Sequence, residues 1–496
     1  MLSYLLFGAV VFLVYVFIKT IRNEKSKIIA KIPGPKGIPL FGNALQVDLE
    51  HIHKDLLRWT KEYGPIFKLN FAGDLVVVLN SYDAIYEALV TKSADFAGRP
   101  NDTFRVKAFS KNEDVIFEDY TDKIKYMKKL MLQGLKMYGE ERSNIIKITQ
   151  SEVNLCMDKF AAKNNEPFYY DDAVETMILK ILAEVIGGVQ FADDHPYIKQ
   201  IAEFQNKAGR VMSAGNGVEL DMFPWLRFFG NQNFKLLTES CSLRDAAMSG
   251  MRIECEKSLD SNNSVMAGFI RAQRDPLTPH QISDYNIIMT SANLIGAGLT
   301  TTKATISGLF LLLMRHPDIQ AKLQEEVDQV VGKDRNPSVD DKESMPYLQA
   351  TLIEVLRYLT HVPISVPHKT LVDTSVAGYD VPKGTQVWTN IFAMHHNPAM
   401  FPDPWQFKPE RWLDNDDKLV SLEERNKAIS FGAGRRVCVG EQFARTRLFL
   451  FCATLLQKFT ISPPDGSQSP SPDPRDFPLG IVLHPVPFQI KAIARQ

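Results

Sequence analysis

Cysteine is scarce. Five thiols in 496 residues (Cys156, Cys241, Cys255, Cys438 and Cys452), with no C-x-x-C pair, exclude a disulfide framework and a cysteine-based zinc or dithiol motif. Net charge is equally small: Lys+Arg 57 against Asp+Glu 58 leaves −1, and no basic block stands out, so nucleic acid is not an expected partner. The glycine pairs Gly296-x-Gly298 and Gly432-x-Gly434 lack the third glycine and preceding strand of a dinucleotide fingerprint. There is no Walker loop, no G-x-S-x-G elbow and no repeat of solenoid period. What remains, 45% hydrophobic and 23% charged, is the composition of an ordinary folded protein.

One long apolar run opens the chain, Leu2 to Ile18, interrupted only by Ser3. As a helix it would be about 25 Å long, slightly short of a ~30 Å hydrocarbon core, a gap that Lys19 can close by snorkelling. No positive segment precedes it and no small-x-small cleavage site follows, so it reads as an uncleaved anchor. Lys19, Arg22, Lys25, Lys27 and Lys31 follow it and place the rest on the cytoplasmic side. The expected organisation is an anchor over 1–20, a basic and proline-rich hinge over 21–42, and one catalytic body over 43–496. The Pro33-Gly34-Pro35-Lys36-Gly37-Ile38-Pro39 stretch fits a stiff hinge or an ordinary linker equally well.

In the body, Ile66 to Asn70 and Leu75 to Leu79 flank Ala72-Gly73-Asp74, a hairpin signature. Helical periodicity follows over Tyr126 to Tyr138, Glu175 to Gly187, Pro279 to Met314, Pro317 to Val331 and Pro346 to Leu359. The third is too long and apolar for a surface helix and should cross the core. Beyond Arg357 the chain becomes rich in Pro and Gly, with a turn-bounded strand segment at Gly378 to Gly384 and a last helix over Val439 to Phe459. The fold class is mainly α with two small β-sheets (α+β).

The chemistry concentrates in Phe431-Gly432-Ala433-Gly434-Arg435-Arg436-Val437-Cys438-Val439-Gly440, a glycine-rich loop carrying one cysteine to the start of a helix. A helix amino terminus favours negative charge, so Cys438 is placed to be a thiolate. A thiolate with no partner ligand nearby suits a metal whose other ligands come from a macrocycle, as in thiolate-bound haem. Gly434 and Gly440 would let the loop pass beneath a flat cofactor, and Arg436 could pair with a carboxylate on its edge. The other four cysteines read as buried thiols.

This loop matches F-x-x-G-x-R-x-C-x-G at every fixed position and resembles the cytochrome P-450 superfamily, microsomal animal type. The resemblance extends from Pro33 to the carboxy-terminal strands. It implies the P-450 fold behind an N-terminal transmembrane helix, with haem b held through Cys438 as axial iron ligand. It also implies a cofactor site of Phe431, Gly432, Gly434, Arg436, Gly440, Lys128 and His368. Lys128 keeps only the charge of the family's W-x-x-x-R motif, in which Ile124 replaces the tryptophan. Glu354-x-x-Arg357 is nearly worthless alone, since E-x-x-R pairs are common on helices. The resemblance adds Arg411 and makes the three a buried structural network. Gly296-Ala297-Gly298-Leu299-Thr300-Thr301-Thr302 interrupts the long helix with residues that are poor in helices. Close packing is its bland reading. The resemblance makes it an oxygen-binding groove, with Thr301 and Thr300 at the catalytic positions and threonine where the family carries an acid.

Ala297, Gly298, Val366, Ile481 and Val482 are the substrate-facing positions it implies. The activity implied is insertion of one oxygen atom from O2 into a lipophilic, steroid-like substrate. NADPH would act indirectly, through a flavoprotein reductase, and a small microsomal b-type cytochrome is a further partner. The implied setting is the endoplasmic reticulum membrane, single-pass and in contact with lipid. Similarity to steroid 17-hydroxylases rests on Phe96-Ala97-Gly98-Arg99-Pro100 and Asp221-Met222-Phe223-Pro224-Trp225-Leu226. Lys123, Lys125, Lys128, Lys129, Arg435, Arg445 and Arg447 are expected to form a basic patch for an acidic electron donor. Two other readings stand: a reductase-independent lipid hydroperoxide isomerase or dehydratase, motivated by Thr300, and a non-catalytic haem-binding protein.

Overall fold

Prolines mark three of the helix starts. Pro196, Pro317 and Pro346 occupy the first turn of helices Pro196–Val211, Pro317–Val330 and Pro346–Leu359, where a missing N–H leaves no hydrogen bond unmade. Side-chain caps start others, among them Thr121 on helix α1 (Asp122–Gly134) and a reciprocal Ser283/Asn286 box on helix α2 (Asp284–Arg315). Pro346–Leu359 is helix α3, and Glu441–Lys458 is helix α4. The computed structural model describes residues 28–39, 41–135, 139–213, 215–467 and 469–495. The expected anchor lies outside the described residues.

The described chain forms two compact units. The first comprises residues up to 100 together with 362–404 and 429–437. The predicted hairpin is present in it, Ile66–Phe71 paired antiparallel with Asp74–Leu79 in the register Phe67↔Val78. Gln386–Thr389 adds in parallel and His368–Lys369 closes a four-stranded sheet. Its core includes Ile66, Val77, Leu79, Val376, Val387 and Met394. The proline-rich segment is docked on this sheet. The Lys68 N–H donates to the Pro33 carbonyl at 2.8 Å, and a Cβ on Gly34 would lie 2.3 Å from the Lys68 carbonyl oxygen. The expected hinge is therefore packed at its carboxy-terminal end.

The second unit comprises 101–361, 405–428 and 438 onward. Helix α2 runs through its core: 67% of its most apolar stretch is buried, so a length sufficient to cross a membrane is spent on protein packing. Phe310 on α2 meets Tyr170, Phe451 and Phe160 with ring centroids 4.7, 6.2 and 6.3 Å away. Strands Phe168–Tyr169, Gln489–Ala494 and Phe459–Ser462 form an antiparallel sheet.

Among the described residues the two expected sheets are three, because the segment at Gly378 is a separate hairpin, Thr374–Val376 with Tyr379–Val381. The stretch read as one helix over Glu175 to Gly187 is an α-helix from Asp171 to Leu182 that widens into a π turn over Ala183–Gly187. His395 and His396 are buried at the end of a short helix, Ile391–His395.

Candidate functional site

The glycine-rich loop is shaped before Cys438 is reached. Gly432 and Gly434 adopt φ of 72° and 68°, and a Cβ on Gly434 would sit 1.6 Å from the Leu89 carbonyl oxygen. No side chain fits there. Cys438 follows, an exposed residue three positions ahead of α4, whose N-cap is Gly440. Surrounding protein pushes its thiol pKa up, opposed by a hydrogen bond from the Gly440 N–H and by the charge of Lys128 on α1. The residue is exposed even so. Burial also raises the other cysteines, Cys156 to about 12, which makes them inert by comparison.

Within the first unit, a cationic cluster surrounds the short strand at His368. Arg436 Nε donates to the Ala97 carbonyl at 2.9 Å, and Arg99 donates to the carbonyls of Val366 and Pro367 at 2.8 and 2.9 Å. Burial and the nearby Arg436 lower the Arg99 pKa to about 9. His368 lies 2.8 Å through Nδ1 from the Phe96 carbonyl, and burial followed by Arg99 pushes its pKa well down. The carbonyl accepts a hydrogen bond from Nδ1–H, leaving neutral His368 only an acceptor at Nε2. Arg99 and Arg436 are thus better suited than His368 to a carboxylate. Arg99 was read in the sequence only as a mark of similarity, and its proximity to Arg436 depends on strand pairing.

On α2 the threonine run bonds backward. Thr300 donates to the Gly296 carbonyl at 2.9 Å, Thr301 to Ala297 at 2.7 Å and Thr305 to Thr301 at 2.8 Å. Ala297 is exposed, while Gly298 and Thr301 are half-buried. A Cβ on Gly298 would meet Leu182 at 2.8 Å, so close helix packing accounts for that glycine whatever else it does. From α4, Arg447 donates to the Gly298 carbonyl at 3.1 Å and to the Thr302 hydroxyl. Arg447 is 1% exposed, which removes it from the expected basic patch. Of the other members in this unit, Lys123 pairs with Glu113 at 3.6 Å and Arg445 with Glu441 at 2.9 Å.

Glu354, Arg357 and Arg411 come together. Both side chains of the α3 pair are fully buried, with Arg357 bidentate on Glu354 at 2.8 Å for each bond. Arg411 adds a contact at 3.4 Å, the Trp412 indole donates at 2.9 Å, and the Lys408 N–H donates at 3.1 Å. Every lone-pair direction of the buried carboxylate is answered, the condition under which such a network is stable. Trp412 and Lys408 were missed in the sequence, although they flank Arg411 in Phe407-Lys408-Pro409-Glu410-Arg411-Trp412. Of the substrate-facing positions, Ile481 is exposed and Val366 half-buried. Val482 is 3% exposed. A separate cavity of about 610 Å³ has a wall rich in serine and asparagine, unlike the apolar wall a lipophile needs.

Taken unit by unit, the donors suit haem: an exposed cysteine in one, and in the other a buried guanidinium, Arg99, beside a half-buried one, Arg436, that an anion would relieve. The family comparison agrees. The Cytochrome P-450 family model matches residues 32–492, and the chain belongs to that family. It is a cytochrome P-450 monooxygenase, of a family that uses haem.

Among its relatives is the steroid 17-alpha-hydroxylase/17,20 lyase of Squalus acanthias, 31% identical, with 92% of this chain and 91% of the relative covered. Cytochrome P-450 2F3 of Capra hircus is 30% identical over 98% of this chain and 99% of the relative. A solved zebra fish cytochrome P-450 with progesterone superposes with a TM-score of 0.79 at 28% identity, covering 89% of this chain and 99% of that one. The fold is thus that of a P-450, mainly helical with small sheets.

Proposed function

We propose that this chain is a membrane-anchored haem-thiolate monooxygenase that hydroxylates a steroid or similar lipophile. The overall reaction takes O2, two electrons and two protons, places one oxygen atom in a C–H bond and releases the other as water. Haem, when bound, supplies the oxygen-activating chemistry. Cys438 would be its thiolate ligand, with the Gly440 N–H stabilising charge on sulfur. Arg436 and Arg99 would hold its carboxylates, and Lys128 adds positive charge near Cys438. Thr301 would hold and pass a proton through its hydroxyl, which now donates to Ala297. Thr300 has no acid to replenish that proton, so water must. Phe431, Gly432 and Gly434 shape the loop, and Ala297, Gly298, Val366 and Ile481 face the substrate. Electrons would come from NADPH through a flavoprotein reductase at the endoplasmic reticulum membrane, the body facing the cytoplasm, with a small b-type cytochrome as a second donor.

The observation that carries this reading is Cys438, the one exposed cysteine among the five, delivered by a loop whose Gly434 admits no side chain. Cys438→Ala should abolish the thiolate-type carbon monoxide spectrum while the chain stays folded, and an unchanged spectrum refutes the ligand assignment. Thr300 favours one other reading, rearrangement of lipid hydroperoxides without reductase. Labelled O2 separates the two. Label entering product only with NADPH and reductase supports the monooxygenase, whereas hydroperoxide turnover without them supports the isomerase.

A further inference from the structure

Helix α3 ends at Leu359, and two residues on, His361 reaches back to α2. Its Nε2 lies 3.5 Å from the Thr305 hydroxyl oxygen, which itself lies 2.8 Å from the Thr301 carbonyl oxygen. Thr305 has one proton to donate, and the shorter contact takes it. Toward the imidazole the hydroxyl is therefore an acceptor, and Nε2 carries the ring proton. Burial lowers the His361 pKa to about 4, so the ring is neutral near pH 7. A neutral ring with its proton on Nε2 has a bare lone pair on Nδ1. That atom is shielded from solvent and has no hydrogen-bond partner among the described residues, although an edge of the residue remains accessible. A buried acceptor left without a donor is costly, and it calls for an explanation. Meanwhile the His361 carbonyl accepts from the Leu483 N–H at 2.8 Å, which ties this residue to the turn carrying Ile481. One residue thus joins the Thr301 turn, through its ring, to the 481–483 turn, through its backbone carbonyl.

We propose that His361 is a specificity-determining residue, a hydrogen-bond acceptor that selects lipophilic substrates bearing a hydroxyl group over their ketone counterparts. The inference rests on the proposed substrate-facing roles of the Thr301 and Ile481 segments. A hydroxyl donates to Nδ1 after a small movement of the ring. A ketone opposes one lone pair to another, and a hydrocarbon leaves the acceptor unanswered. Sites built to bond a hydroxyl reject analogues lacking it far more strongly than apolar pockets discriminate by size.

The test uses the full-length, haem-loaded protein and two pairs of steroids, each differing by one hydroxyl for one ketone: testosterone with androstenedione, and epiandrosterone with 5α-androstanedione. Equilibrium dialysis should show the hydroxy member of at least one pair binding about tenfold tighter or better. That preference should vanish in His361→Leu and His361→Phe and persist in part in His361→Asn, whose amide oxygen is still an acceptor. In protein labelled with ¹⁵N-histidine, Nδ1 should resonate as an unprotonated nitrogen and shift when the preferred hydroxysteroid is added. A protonated Nδ1, no shift with either hydroxysteroid, no preference in either pair, or the same preference without the imidazole overturns the proposal. The carbon monoxide spectrum of the same samples reports on Cys438 separately, so a failed monooxygenase reading shows there rather than in the binding preference.

Discussion

Two arginines in the same unit are equally buried and differently treated. Arg357 lies on α3 against a buried carboxylate, Glu354, that also receives Arg411, Trp412 and a backbone N–H. Arg447 lies on α4 with one carbonyl and one hydroxyl, its Nε and one terminal nitrogen without a partner among the described residues, and its guanidinium 4.8 Å from the Phe443 ring. Burial drops the Arg447 pKa to about 10. The first charge is matched and the second is tolerated, so removing them should have opposite signs. A polar group stabilises an interior through the completeness of its partners rather than through its charge.

The largest expected effect breaks the matched member. Glu354→Ala should lower unfolding stability by about 3–5 kcal/mol, because it strands two guanidiniums and an indole N–H. A midpoint in urea unchanged from wild type would show the network to be idle. Arg357→Met should cost a similar amount, and the double variant Glu354→Met, Arg357→Met clearly less than the sum, since neither charge is then left alone.

Acid gives the next test, on a third buried group. The folded His361 pKa is depressed to about 4, below the ordinary value near 6.5, so the unfolded chain gains a proton first as pH falls. Its contribution is complete above pH 6.5 and is lost by about pH 4, a total of up to about 3 kcal/mol. His361→Leu should flatten that part of the stability profile, and an unchanged slope would mean the imidazole is not enclosed in solution.

Smaller again, Arg447→Met should raise stability by about 1 kcal/mol, as an unmatched cation gives way to an apolar chain. Destabilisation of the size seen for Arg357 would dissolve the contrast. At the bottom of the scale, Arg445→Ala on the same helix removes a half-exposed i,i+4 pair with Glu441 and should change stability by no more than about 0.5 kcal/mol.

Legibility follows the same division. Helix α3 was read from Pro346 to Leu359 with both ends in place, because proline opens it and apolar periodicity carries it. The hairpin at Gly73 and the core helix α2 were readable for similar reasons, one from turn chemistry and one from its apolar length. The strand at His368–Lys369 was not, since two residues carry no period and exist as strand only through pairing with Gln386–Thr389. Arg447 was misplaced because its charge resembles that of Arg445, two residues earlier, and nothing local says which one turns inward.

Local chemistry alone determined where the chain must bend, which loop could carry a single accessible sulfur, and the family to which that loop belongs. Glycine, proline and a ten-residue motif act through bonds and backbone angles that neighbours in sequence already specify. Only the tertiary structure decided which charges have partners: Glu354 between two arginines and an indole, Arg99 beside Arg436, Arg447 with no acid, and His361 with one bare nitrogen. Partners of that kind come from residues distant in the chain, and desolvation, which sets their energies, depends on everything packed around them.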